Sequence, residues 1–229
     1  MIYFYSGTPG SGKSLQVAKD IVSKLKIKKQ NVIANMDINM DYIQRGLFGR
    51  KKKTGRFFYI RNKYMTPDFL YKYAMKYHVK GKEGQTLLVI DEAQMVFSPT
   101  VVKLKCQEFG CKDYRVQWLD FFTQHRHLGY NIILISQFDR LIDAQVRCLF
   151  EYNVIHRKVN NFKIGWILSV FRLSAFCAVH YWYGVNQKCG ANWFFYSNRY
   201  SKIYDSYKKF DEIKNDMNKK LSEKKVNLA

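Results

Sequence analysis

Eight residues near the start of the chain, Gly7-Thr8-Pro9-Gly10-Ser11-Gly12-Lys13-Ser14, satisfy G-x-x-x-x-G-K-[ST] at every fixed position. This pattern restricts the fold because it works only as a tight turn between a strand and a helix. Its glycines let backbone N–H groups converge on phosphate oxygens, and the helix N-terminus adds partial positive charge. Both flanks agree. Met1 to Tyr5 is strand-like, and from Ser14 to Lys28 the apolar residues Leu15, Ala18, Ile21, Val22 and Leu25 recur at helical spacing. Gly7 to Ser14 are therefore expected to hold nucleotide phosphates. Lys13 would contact the β- and γ-phosphates, and Ser14 would offer its hydroxyl to Mg²⁺. ATP and Mg²⁺ are the expected cofactors, although no pattern separates ATP from GTP.

Three further apolar runs read as strands: Asn31 to Asn35, Thr86 to Ile90, and Asn131 to Ser136. Continuous Leu/Val/Ile runs suit parallel strands buried on both faces, and their alternation with helical stretches indicates a layered α/β fold. The expected class is an α/β P-loop NTPase with a mostly parallel sheet flanked by helices and additional β-strands in the C-terminal third. Of the 229 residues, 47% are apolar and 17% aromatic, which excludes wholesale disorder. The expected division is a core over 1–157, a β-rich completion of the same domain over 158–210, and a polar tail over 211–229.

The run Leu87-Leu88-Val89-Ile90 ends in Asp91-Glu92. In a parallel sheet this places two acids beside the phosphate loop. Asp91 would hold Mg²⁺ and Glu92 would orient or deprotonate the attacking water. Gln137, after the next strand, can sense the γ-phosphate or can be a turn residue ending the strand. Arg126, in His125-Arg126-His127, and Arg147 are candidates for an arginine delivered across a subunit boundary, or are surface arginines.

The net charge of +21 and pI near 9.7 point to polyanionic partners, without choosing between nucleic acid, nucleotide and an anionic membrane. Residues 42–67 carry Arg45, Arg50, Lys51, Lys52, Lys53, Arg56, Arg61 and Lys63 with no acid, alongside Phe57, Phe58 and Tyr59. This insert is either a solvated loop or a DNA contact, with Arg50, Lys51, Lys52, Lys53 and Arg56 on phosphates and the aromatics on bases. Trp166 to Gly184 is the only transmembrane candidate. Arg172 near its middle, and its β-branched and aromatic content, favour strands instead. The five cysteines are scattered and read as reduced thiols. A zinc site from Cys106, Cys111, His125 and His127 is conceivable but less favoured.

The phosphate loop, the strand ending at Asn35, Asp91-Glu92, and His125-Arg126-His127 with Gly129 and the strand to Gln137 together resemble the zonular occludens toxin N-terminal domain. That domain is shared with the gene I assembly proteins of filamentous phages. The resemblance runs from Met1 to about Arg157 and continues weakly into a tyrosine-rich segment at Tyr196, Tyr200, Tyr204 and Tyr207. It implies a P-loop ATPase of the HerA/FtsK type that moves single-stranded phage DNA through a membrane assembly complex. It also implies a hexameric ring, a membrane-embedded partner, and a cytoplasmic location peripheral to the host inner membrane. Relatives usually carry a transmembrane helix after this domain, whereas no clean span follows here. Two alternatives stay open: a packaging ATPase for double-stranded DNA, and a nucleotide-binding membrane scaffold with little turnover.

Overall fold

The computed structural model describes residues 1–45, 52–108, 114–161 and 174–204. Its centre is an eight-stranded sheet in the order β3-β2-β4-β5-β1-β6-β7-β8. The strands are β1 (Ile2–Ser6), β2 (Asn31–Ala34), β3 (Phe57–Tyr59), β4 (Thr86–Ile90), β5 (Tyr130–Ile135), β6 (Tyr152–Lys158), β7 (Ala175–Trp182) and β8 (Gln187–Phe195). Across the sheet from β3 to β6 the pairing is parallel, while β7 and β8 are antiparallel additions. The expected α/β class, with extra strands in the C-terminal third, holds.

The apolar runs explain the layering. All five residues of β4 are buried, as a strand covered on both faces must be. Each fully buried Leu or Ile contributes roughly 1.5–3 kcal/mol of transfer free energy. On one face, Phe4, Leu88, Ile90, Ile132 and Leu134 pack under α3 (Pro67–Tyr77), α4 (Gln94–Phe97) and α6 (Tyr114–Gln124). On the other, Val32, Val89, Ile133 and Val154 meet Val17, Ile21 and Val22 of α1 (Lys13–Val22), whose last turns continue as a π-helix over Ser23–Ile27. α3 starts where the sequence marks it, with the Thr66 hydroxyl accepting from the Phe69 N–H and Pro67 in the first turn. Shorter helices complete the chain: α2 (Met40–Gln44), α5 (Pro99–Glu108), α7 (Ala144–Arg147) and α8 (Asn198–Ser201).

One expectation changes. The basic insert is not merely a loop, because its second half supplies edge strand β3. Phe57 packs partly against one apolar layer and Phe58 partly against the other, and both also line an open depression beside Lys52, Lys53 and Arg56. Arg50 and Lys51 lie outside the described residues. The sheet also sets an order that the sequence did not state: β5 lies between β4 and the phosphate-loop strand β1. Part of Trp166 to Gly184 forms β7, and residues 162–173 lie outside the described residues. Among the described residues no helix is long and apolar enough to cross a membrane. The zinc reading includes Cys111, which is also outside them, as is the tail 211–229. Cys148, Cys177 and Cys189 are free thiols.

Candidate nucleotide site

The phosphate loop leaves the C-terminal end of β1 and wraps onto the start of α1. Gly7 and Gly12 are required there for two reasons. Both have positive φ (141° and 93°), and a Cβ on Gly7 would lie 2.5 Å from the His156 carbonyl oxygen. On Gly12 it would lie 2.7 Å from the Phe176 ring. The Gly7 N–H donates to the Gln137 carbonyl at 3.2 Å, which ties the loop to the end of β5. Strand β5, inserted between β1 and β4, therefore forms the floor between loop and acids.

Lys13 folds back over the loop, and its ammonium donates to the carbonyl oxygens of Gly7 and Thr8. Burial lowers its pKa from the ordinary value, opposed by the nearby Glu92 and Asp91 carboxylates. Ser11 is 2% exposed, and its hydroxyl is buried without a hydrogen-bond partner. A buried hydroxyl and a lysine held by loop carbonyls suit a loop shaped for a strongly accepting anion.

Asp91 and Glu92 follow β4 in different settings. Asp91 is 7% exposed, and Asn35 at the end of β2 clamps its backbone from both sides. Asn35 also donates to Asn62 Oδ1 at 2.6 Å. Glu92 is exposed and left-handed at φ 50°, with its carboxylate accepting from Gln94. Such a backbone conformation is costly for a residue with a side chain and tends to occur at functional positions.

A cleft of ≈ 430 Å³ brings these residues together: the loop from Pro9 to Ser14, Asp91, Glu92 and Gln137. The C-terminal part closes it with Phe176, Tyr196, Tyr200 and Tyr204. These aromatics are residues that sequence reasoning did not assign to the site. Their only signal was the four-residue spacing of the tyrosines. Lys19 of α1 sits over the Phe194 and Tyr200 rings at 5.2 and 5.9 Å, which fastens α8 and β8 to the phosphate-loop helix. The donors, the carboxylates and the size of the cleft fit a nucleoside triphosphate with Mg²⁺. Ser14 and Asp91 would hold the metal.

The arginine candidates lie outside this cleft. Arg126 is at the opposite end of the sheet, in an ion pair with Glu151. Beside it His125 is buried, with Nδ1 against the Phe122 carbonyl at 2.6 Å. Arg147 pairs with Asp139 at 4.0 Å, and Asp139 also accepts from the Tyr183 hydroxyl. Of the basic insert, Lys52, Lys53 and Arg56 line a separate open depression with Met40, Gln44 and Phe57.

The family model for zonular occludens toxin (Zot) matches residues 1–209. The gene 1 protein of Enterobacteria phage f1 is 26% identical over 174 residues, covering 75% of this chain and 46% of that protein. The chain thus spans about half the length of the phage proteins it matches. Among solved structures, one ATPase domain is similar with a TM-score of 0.57 at 8% identity, covering 89% of this chain and 84% of that one. The N-terminal domain of zonular occludens toxin from Neisseria meningitidis gives 0.48 at 18% identity, covering 89% and 98%. The fold is that of the P-loop ATPases, and with a family match over nearly its whole length the chain belongs to the zonular occludens toxin family.

Proposed function

We propose that this chain is an ATP-hydrolysing motor of filamentous-phage assembly that drives export of single-stranded phage DNA. The observation that carries the reading is the convergence of Lys13, Ser14, Asp91, Glu92 and Gln137 on one cleft in a chain of this family. Ser14 and Asp91 would hold Mg²⁺, which would supply charge neutralisation at the phosphates. Lys13 leaves its loop carbonyls for the phosphates. Glu92, exposed beside buried Asp91, takes the proton of the attacking water. The Gln137 carbonyl accepts from the Gly7 N–H, so a change at the γ-phosphate reaches the end of β5.

The partners in this reading are phage DNA, further copies of the chain in a hexameric ring, and a membrane-embedded assembly protein. The location is peripheral to the host inner membrane. Arg126 or Arg147 acts across the subunit boundary; both stand outside their own cleft, as such a residue must. The test is steady-state ATP turnover with no DNA, single-stranded DNA or duplex DNA, with the assembly mass measured in the same samples. Stimulation by single strands and a ring-sized mass are expected. Stimulation by duplex alone would move the reading to double-stranded packaging. Binding of ATP with no sustained turnover would make the chain a scaffold.

A further inference from the structure

The helical layer over one face of the sheet stops short. It covers β3 through β1, but the same face of β6, β7 and β8 carries no helix among the described residues. Strand register places Arg157, Cys177 and Trp193 side by side across that face, with Ile155, Val179 and Ala191 in the next row. Phe195 is on the same face of β8, two residues beyond Trp193. On β7 Ala175 and Cys177 are buried on this face beside the larger β8 side chains, and it is at the end of β8 that the two faces differ in exposure. Trp193 and Phe195 are 68% and 59% exposed, whereas Phe194 between them is 5% exposed and packs against the phosphate-loop side. Phe138, 56% exposed, extends the patch from the end of β5 and lines a cleft with Asn153, Ile155, Arg157 and Lys158.

Large aromatics gathered on one exposed face mark an interaction site rather than random surface. The charge indicates which kind. From Tyr152 to Tyr204 the chain contains no Asp or Glu, and the register puts Arg157 and, opposite Tyr181, Lys188 on this same face. Aromatic faces beside cations, in a segment free of acids, complement a polyanion with unpaired bases: the bases stack while the phosphates meet the cations. We propose that the β6–β8 face bearing Arg157, Trp193 and Phe195, continued by Phe138, is a platform for single-stranded nucleic acid. The proposal rests on the motor reading above and adds the surface that grips the strand. It also supplies a route between the two events. Gln137 lines both the nucleotide cleft and the Phe138–Arg157 cleft, so the residue at the γ-phosphate end of the site adjoins the base platform.

The test is binding of a fluorescently labelled oligodeoxythymidine, read by anisotropy, to the full chain and three variants. Trp193→Ala is expected to bind roughly 10-fold more weakly or worse, the loss of one stacked base. Arg157→Gln, which keeps the aromatics, is expected to flatten the slope of log K against log salt by about 0.7. Trp182→Ala removes an exposed tryptophan from the other face of the same hairpin and should bind like the parent. Binding of a fluorescent ATP analogue should be unchanged in all three, which separates a lost platform from a lost fold. If the parent binds the oligonucleotide and Trp193→Ala and Arg157→Gln match it, the platform is wrong while the motor reading stands. If the parent does not bind, the single-stranded substrate falls and the platform falls with it. If Trp193→Ala instead loses self-association, or binding to anionic phospholipid vesicles, with oligonucleotide affinity intact, the face belongs to a second copy or a membrane, and the proposal is overturned.

Discussion

Asn35 and Asp91 hold each other by two hydrogen bonds: the Asp91 N–H donates to Asn35 Oδ1 at 2.6 Å, and Asn35 Nδ2 donates to the Asp91 carbonyl at 2.7 Å. Both residues are buried. The carboxylate assigned to the metal is therefore aimed by a side chain on the neighbouring strand. Asn35→Ala is expected to cost about 1–3 kcal/mol of stability, because it leaves buried amide groups unpaired. It should also lower ATP turnover more than ATP binding. Asn35→Asp, which keeps only the acceptor, should fall between. Denaturant unfolding and turnover on the same samples check this; unchanged turnover in Asn35→Ala would remove Asn35 as a positioning residue.

Lys13→Ala and Glu92→Gln separate binding from chemistry. Lys13→Ala should lose ATP affinity and turnover together. Glu92→Gln should keep ATP binding while turnover falls roughly 10²–10⁴-fold, the usual range for a lost general base. The Glu92 side chain is exposed and accepts from Gln94, so exchanging its carboxylate for an amide leaves the fold intact. A Glu92→Gln protein with full turnover would end the catalytic assignment.

Gly12 stands at φ 93° against the Phe176 ring, 2.7 Å from where a Cβ would be. Gly12→Ala should destabilise the protein by about 1–2 kcal/mol from the left-handed backbone alone. The ring contact adds to this and distorts the loop. Combining Gly12→Ala with Phe176→Leu should recover part of the ATP affinity by relieving the contact. Isothermal titration of both variants decides. No recovery would mean that backbone strain, not Phe176, sets the requirement for glycine.

Half-buried Asp20 and buried His156 make opposite contributions to acid stability. Burial pushes the Asp20 carboxyl up to about 6 from 3.8, against hydrogen bonds from Tyr5 and Gln16. The fold therefore takes up a proton as pH falls through that window and gains stability there. Burial pushes the His156 imidazole down to about 4 from 6.5. The fold resists its protonation and loses stability as pH falls from 6.5 to 4. Asp20→Asn should make Tm fall more steeply than in the parent across pH 6.5 to 4, and His156→Phe should make it fall less. Parallel Tm curves for all three proteins would show that neither group is coupled to folding.

The cations of the basic insert make a separate prediction. Neutralising Arg50, Lys51, Lys52 and Lys53 should weaken DNA binding and flatten its salt dependence by about 0.7 per lost phosphate contact on a single strand. An unchanged slope would leave the strand on the β6–β8 face alone.

The local parts of this site were legible because their chemistry is local. A phosphate loop needs its glycines, Lys13 and Ser14 within eight consecutive residues, and the Asp91-Glu92 pair needs only the buried strand before it. The α/β class and the extent of β4 follow from continuous apolar runs. Periodicity carries no strand order, because side-chain alternation reports which residues are buried and not which strand lies alongside. That is why β5 had no predicted place between β1 and β4, and why the sequence did not show that Phe57 and Phe58 belong to edge strand β3. It is also why Phe176, Tyr196, Tyr200 and Tyr204 could reach a loop more than a hundred residues away unannounced. The residues expected to hold a nucleotide's phosphates and metal, Gly7 to Ser14 and Asp91-Glu92, were legible because each group is made of neighbours along the chain. Which aromatics close the cleft, and which side chains of β8 stand exposed, depended on long-range pairing, because strand register decides which residues share a face.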